Sequence, residues 1–281
     1  MARPQIPEQH RGRRALRRAV ASAAALLAAL AFAAPAVAAD QPATPRLDPD
    51  DPRGAWAGYS VEGSGTPAPR ARSAGGVAGM DVSGHQPHVN WQRAWADGAR
   101  FAYVKATEGT GFRSSTFDAQ YRGSYDVGMV RGAYHFALPD RSSGAAQAHY
   151  FVDNGGAWTP DGRTLPGALD IEHNPYGQMC YGLDPAAMSR WIADFSNTYH
   201  SRTGRFPVIY TTASWWNHCT GANPDFGANN PLWMARYAPR PGELPAGWTH
   251  RTIWQHSDRG VFPGCQDAFN GDYAALRGFA S

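Results

Sequence analysis

Short apolar, β-rich segments recur along most of this chain, and the shrinking distance between them constrains the fold more than any other feature. They are Met80–Ser83, Phe101–Ala106, Val130–Phe136, Ala168–His173, Val208–Thr212, Leu232–Tyr237, Thr252–His256 and, less sharply marked, Gly264–Ala268. Helical patterns separate the earlier ones. Asp184 as N-cap and Pro185 at the first helical position open the clearest helix, in which Met188, Trp191, Ile192, Phe195 and Tyr199 recur at helical spacing before Gly204. A second helix is expected from near Ser114, carrying Phe117, Tyr121 and Tyr125 and ending at Gly128. Strands alternating with helices predict a parallel sheet with crossovers, and about eight strands predict an α/β fold of the (β/α) barrel type. Successive strand starts lie 21, 29, 38, 40, 24, 20 and 12 residues apart. A parallel crossover needs a dozen or more residues beyond the strand itself. The late helices are therefore expected to be short or missing, and the barrel irregular.

The residues before the first strand divide in two. Residues 1–38 have the parts of a secretory signal: an Arg-rich stretch to Arg18, an apolar small-residue run from Ala19 to Ala34, and Ala36-Val37-Ala38 as the small-x-small cleavage form. The run is short for a membrane span and no basic stop follows it. A secreted, extracellular protein with no membrane association after signal removal is expected. Residues 39–76, with Pro42, Pro45, Pro49, Pro52, Pro67 and Pro69 and no apolar periodicity, predict a flexible Pro/Gly-rich tether. Residues 77–281 form the expected catalytic domain, without internal repeats.

Charge follows the same division. The whole chain carries 26 Lys+Arg against 23 Asp+Glu, a formal +3. Residues 1–38 hold six Arg and one acid, Glu8, so the remainder has 20 basic and 22 acidic residues, or −2. Net charge thus gives no support to a nucleic-acid partner. In an oxidising destination, three cysteines permit one bridge and leave one thiol. Cys180 and Cys219 fall just beyond predicted strand ends on consecutive loops and are the favoured pair; Cys219 with Cys265 is the alternative. Without CxxC spacing, no structural metal site is expected.

In a barrel, side chains alternate between lumen and shell, and active sites sit at the C-terminal strand ends. In Ala168-Leu169-Asp170-Ile171-Glu172, Leu169 and Ile171 can face the helices, which turns Asp170 and Glu172 inward. Two strand residues separate their Cα atoms by about 6.6 Å. Carboxyls that close repel, so one should keep its proton to higher pH, giving an acid and a base from one residue type. Asp81, between Met80 and Val82, repeats the pattern on the first strand. Asp267 ends the last strand, which should close the barrel against the first; Asp272 reads as part of an Asn270-Gly271-Asp272 turn. Asp81, Asp170, Glu172 and Asp267 are the candidate catalytic set.

These residues carry a resemblance. Gly79-Met80-Asp81-Val82-Ser83 with Gln86, Phe101 to Gly109, Arg131-Gly132-Ala133-Tyr134-His135-Phe136, Asp170-Ile171-Glu172, Ile209-Tyr210-Thr211, Leu232 to Tyr237 and Asp267 with Phe269-Asn270-Gly271 follow one another in order. Residues 78–281 thereby resemble the glycoside hydrolase family 25 lysozymes. The resemblance implies a secreted β-1,4-N-acetylmuramidase acting on peptidoglycan glycan strands, with a flattened barrel of incomplete helices. It implies Glu172 as proton donor, Asp170 as its assistant, and Asp81 and Asp267 as further acids of the site. Gly84-His85 departs from the pattern, since family members often carry an aromatic residue before the Gln.

Tyr134, Tyr210, Trp233 and Tyr237, near strand ends, are candidate sugar-stacking residues, followed by Trp215, Trp216 and Trp254. Core packing is the competing role for each. A metal-dependent polysaccharide deacetylase using Asp81, His85 and His88 is a second reading, weakened by Pro87 between the histidines; a non-catalytic glycan-binding barrel is a third. The single lysine, Lys105, is expected to be structural and paired with an acid. No cofactor fingerprint is present, and a monomer is expected.

Overall fold

Along the second strand, Phe101, Tyr103 and Lys105 alternate with Ala102, Val104 and Ala106, and all six are fully buried. The large side chains fill a lumen, where Phe101 and Tyr103 pack with Tyr134, Tyr210 and Trp233. The small ones let helices approach the outer wall, where they meet Met80, Val82, Leu169, Ile171 and Ile209. That division identifies a barrel with a packed interior. In the computed structural model, which describes residues 47–61 and 76–281, the strands are β1 (Val77–Val82), β2 (Phe101–Glu108), β3 (Phe112–Arg113), β4 (Val130–Phe136), β5 (Ala168–Asp170), β6 (Val208–Thr211), β7 (Leu232–Ala235), β8 (Ile253–Ser257) and β9 (Cys265–Phe269).

The sheet runs β1-β9-β8-β7-β6-β5-β4-β2 and closes through β1–β2, while β3 only caps the end of β2. Eight strands close the barrel. Seven are mutually parallel, and β9 runs antiparallel to both β8 and β1. The short last interval explains this: the chain between β8 and β9 suffices for a hairpin but not for a parallel crossover.

Among the described residues, six α-helices surround the wall, α1 (Trp91–Ala96), α2 (Phe117–Asp126), α3 (Gly144–Phe151), α4 (Pro185–Thr203), α5 (Ala213–Cys219) and α6 (Tyr273–Phe279), with a π-helical turn over Val152–Gly156 after α3. No helix lies between β7 and β8 or between β8 and β9. In α4, Asp184 Oδ1 accepts from Ala187 N–H at 2.7 Å, and Gly204, at φ 76°, ends the helix. The apolar stripe expected on α4 is buried as its spacing requires. Helix α2 begins later than expected, at Phe117. Tyr125 leaves its buried face and lies 41% exposed under the guanidinium groups of Arg131 and Arg163. Asp272 caps α6 rather than entering the lumen.

The Cys180–Cys219 disulfide forms, with Cα atoms 5.4 Å apart, and ties the loop after β5 to the end of α5. Cys265 is a free, buried thiol on β9.

One segment departs from expectation. Residues 47–61 belong to the stretch read as flexible tether, yet they pack on the barrel: Ala55 and Ala57 are fully buried, and Leu47 N–H donates to Pro175 O at 2.9 Å. They share one compact unit with the barrel. Their anchors are mostly main-chain groups, which leave no side-chain periodicity to read. The leader expected at 1–38 and the rest of the tether, 39–46 and 62–75, lie outside the described residues.

Candidate active site

Alternation on the strands delivers the four acids to one end of the lumen. Asp81 on β1, Asp170 on β5, Glu172 just beyond β5 and Asp267 on β9 are all buried, none more than 3% exposed. Strand β5 ends at Asp170 instead of continuing to His173, so Glu172 stands past the ladder at the C-terminal mouth. Ile171 N–H still bonds Tyr210 O at 3.0 Å, which fixes the backbone that carries Glu172.

The acids form two pairs. Asp81 and Asp267 act on each other as charges, each carboxyl buried and close enough to shift the other. The antiparallel β1–β9 register, with Gly79 opposite Asp267 and Asp81 opposite Cys265, brings them together. Asp81 Oδ2 accepts from Gln255 Nε2 at 2.7 Å, and Asp267 Oδ1 from Trp233 Nε1 at 2.9 Å. Burial pushes Asp81 up to about 7; it pushes Asp267 well above the usual carboxylate range, with the charge of Asp81 adding to the effect.

Across the lumen, burial and then the charge of Glu172 hold Asp170 well above its ordinary value, against the opposing pull of Lys105. No protein N–H or hydroxyl donates to either Asp170 oxygen. The group whose charge acts on it most strongly is Glu172. Burial pushes Glu172 up to about 7, opposed chiefly by donors from residues 47–61. Gly58 N–H reaches Oε1 at 2.7 Å and the Ser60 hydroxyl reaches Oε2 at 2.6 Å.

Lys105 is the structural lysine expected. Its Nζ lies 2.5 Å from Glu108 Oε2, and the Tyr176 hydroxyl donates to Glu108 Oε1 at 2.5 Å. Burial lowers the ammonium's pKa and the Glu108 charge opposes that shift.

The aromatic candidates divide. Tyr134, Tyr210 and Tyr237 turn their hydroxyls to the mouth, the last two donating to Gln255 Oε1 at 2.8 and 3.0 Å. Trp233 is fully buried, stacked on Tyr103 at 4.7 Å with Tyr210 edge-on at 4.8 Å. It offers no open face to a sugar and serves as the donor to Asp267. Trp215, Trp216 and Trp254 are packing residues whose indoles bond backbone carbonyls. His85, at the departure from the family pattern, bonds Gly54 O at 2.9 Å and lies 4.3 Å from Trp56. Asp81 faces Gln255 instead, and among the described residues no three His, Cys, Asp or Glu side chains converge as a metal site.

Gln255 was missed from the sequence. It touches Asp81, Tyr210, Tyr237 and the carbonyl of Ala57. Strand alternation contained the signal: Gln255 shares the inward face of β8 with Ile253, opposite Asp267.

A barrel whose mouth holds a protonatable glutamate beside a second carboxyl is equipped to cleave glycosidic bonds, and fold and site together define a glycoside hydrolase. The family described as glycosyl hydrolases family 25 matches residues 80–265, and the chain belongs to it. It is 48% identical over 224 residues to an N,O-diacetylmuramidase of Arthroderma benhamiae, covering 79% of this chain and 95% of that protein. It is 49% identical over 211 residues to lysozyme M1 of Streptomyces globisporus, covering 73% and 72%. Among solved structures, a muramidase from Acremonium alcalophilum superposes with a TM-score of 0.72 at 55% identity, over 73% of this chain and 98% of that one.

Proposed function

We propose that this protein hydrolyses the β-1,4 bonds between N-acetylmuramic acid and N-acetylglucosamine in bacterial peptidoglycan, with Glu172 as general acid and Asp170 assisting. The observation that carries the reading is the buried Asp170–Glu172 pair, in which Glu172 keeps a proton up to about pH 7. Relatives named as muramidases and a lysozyme support the substrate class.

Glu172 gives its proton to the glycosidic oxygen as the bond to the sugar breaks, and the leaving sugar departs as an alcohol. Positive charge then develops on the remaining ring. Asp170 has both oxygens free of protein donors, so it can accept the 2-acetamido N–H and orient that group's oxygen toward the cationic carbon, or stabilise the charge directly. Water completes the hydrolysis, returning a proton to Glu172. Asp81 and Asp267 form the opposite side of the mouth, and the hydroxyls of Tyr134, Tyr210 and Tyr237 supply sugar contacts.

The protein is expected to act as a monomer outside the cell after loss of residues 1–38. Among the described residues, no helix is long and apolar enough to cross a membrane. Mass spectrometry of fragments released from purified cell wall tests the reading: fragments ending in reducing N-acetylmuramic acid support it, and reducing N-acetylglucosamine ends contradict it. A non-catalytic glycan-binding barrel would release neither.

A further inference from the structure

We infer that residues 47–61 are an intramolecular inhibitor that occupies the glycan site, so that the full chain is latent until this segment leaves the barrel mouth. The inference rests on Glu172 and its neighbours forming the glycan site.

The segment contacts the catalytic groups directly. Gly58 N–H and the Ser60 hydroxyl take both oxygens of Glu172, at 2.7 and 2.6 Å. With both oxygens taken up by the segment, the carboxyl presents neither of them to a glycosidic bond. Ala57 fills the centre of the mouth: its N–H donates to the Tyr134 hydroxyl at 3.4 Å, and its carbonyl accepts from Gln255 Nε2 at 3.3 Å. Tyr237 donates to Gly58 O at 3.4 Å and Tyr59 to His173 O at 2.7 Å. Further back, Ala55 N–H donates to Glu108 Oε2 at 3.0 Å while Lys105 Nζ donates to Ala55 O. Trp56 lies against the ring of His85, with centroids 4.3 Å apart.

Two features mark a fitted yet releasable occupant. Gly58, at φ +89°, has no room for a Cβ, which would overlap the Tyr237 hydroxyl and Gln255; Gly54, at φ +62°, would drive one into Glu108 and Lys105. Only glycine allows this approach. The segment has no helix or strand, and its hold is mainly hydrogen bonds to groups that a sugar's hydroxyl and amide groups can also engage. The solved Acremonium alcalophilum muramidase is matched over 98% of its length by 73% of this chain, a share equal to the barrel alone.

Substitutions confined to the segment should therefore activate the enzyme. Gly58→Val and, independently, Gly54→Asp are expected to raise the rate of reducing-end release from purified peptidoglycan at least 10-fold over the full native chain. Faster hydrogen exchange at residues 54–60 would report the released segment. A synthetic peptide of residues 47–61 added to Gly58→Val should restore inhibition and raise the apparent KM more than it lowers kcat. Equal rates in the native chain and in whichever of the two variants folds, with the segment released, would overturn the inference, as would a peptide that fails to inhibit. Adding Glu172→Gln to the activated variant separates the two readings. Retained activity there removes the role of Glu172 and leaves the inhibition standing.

Discussion

Trp233 and Asp267, 34 residues apart in sequence, meet inside the barrel with indole Nε1 2.9 Å from carboxyl Oδ1. The indole's hydrogen bond favours the ionised form of Asp267, against burial and the charge of Asp81, which favour the protonated one. Trp233→Phe keeps an aromatic ring but removes the donor. Asp267 should then hold its proton more tightly, and turnover should fall about 10-fold. Loss of a buried hydrogen bond costs about 1 kcal/mol, lowering the thermal midpoint by a few degrees. Steady-state rates and calorimetry on the same preparation check both effects.

The pH dependence has a definite sign. Glu172 must be protonated to act, so the limb of the rate profile it controls should fall as pH rises; the midpoint of about 7 belongs to the form in which Gly58 and Ser60 donate to the carboxyl. Stability follows the same direction. A carboxyl whose folded-state pKa lies above its unfolded value binds more protons folded than unfolded, so its contribution is full below the unfolded value and is lost as pH rises through the folded one. The window for Glu172 runs from about 4.5 to about 7 and corresponds to roughly 3 kcal/mol, with Asp81 acting in the same sense. Glu172→Gln should flatten part of the fall in thermal midpoint between pH 4.5 and 8; an unchanged slope would contradict this.

Lys105 and Glu108 are buried together with Nζ and Oε2 2.5 Å apart. Removing one partner leaves an uncompensated charge. Lys105→Met or Glu108→Gln should each cost about 3–5 kcal/mol in denaturant unfolding. The double variant should cost clearly less than the sum, because neither charge remains. Additive losses would show that the pair contributes only packing.

The Cys180–Cys219 bridge closes a separation of 39 residues and should contribute about 4 kcal/mol by restricting the unfolded chain. Reduction should lower the thermal midpoint by about 10 °C. Thiol titration should count none in the native state, one on unfolding without reductant (Cys265) and three after reduction.

What the sequence made legible was the barrel wall and the acids on it, because strand alternation fixes which side chains face inward. Leu169 and Ile171 against Asp170 and Glu172 showed it most clearly, and the last interval foretold the missing helices. Side-chain pattern stops short of function where the main chain makes the contact. Residues 47–61 hold Glu172, Gln255 and Lys105 largely through N–H and C=O groups, which every residue possesses. For Trp233 the pattern left either face open, because its packing against Tyr103 and Tyr210 depends on the register of three strands. Gln255 was on the correct face of β8 but, as a neutral amide, attracted no notice among carboxylates.

The most direct test compares reducing-end release from purified peptidoglycan by Gly58→Val with that by Gly58→Val carrying Glu172→Gln, in the otherwise full chain. Loss of a general acid costs about 100-fold or more. The double variant should fall by at least that factor while retaining its fold and its binding to cell wall. Turnover near that of Gly58→Val would contradict Glu172 as the proton donor.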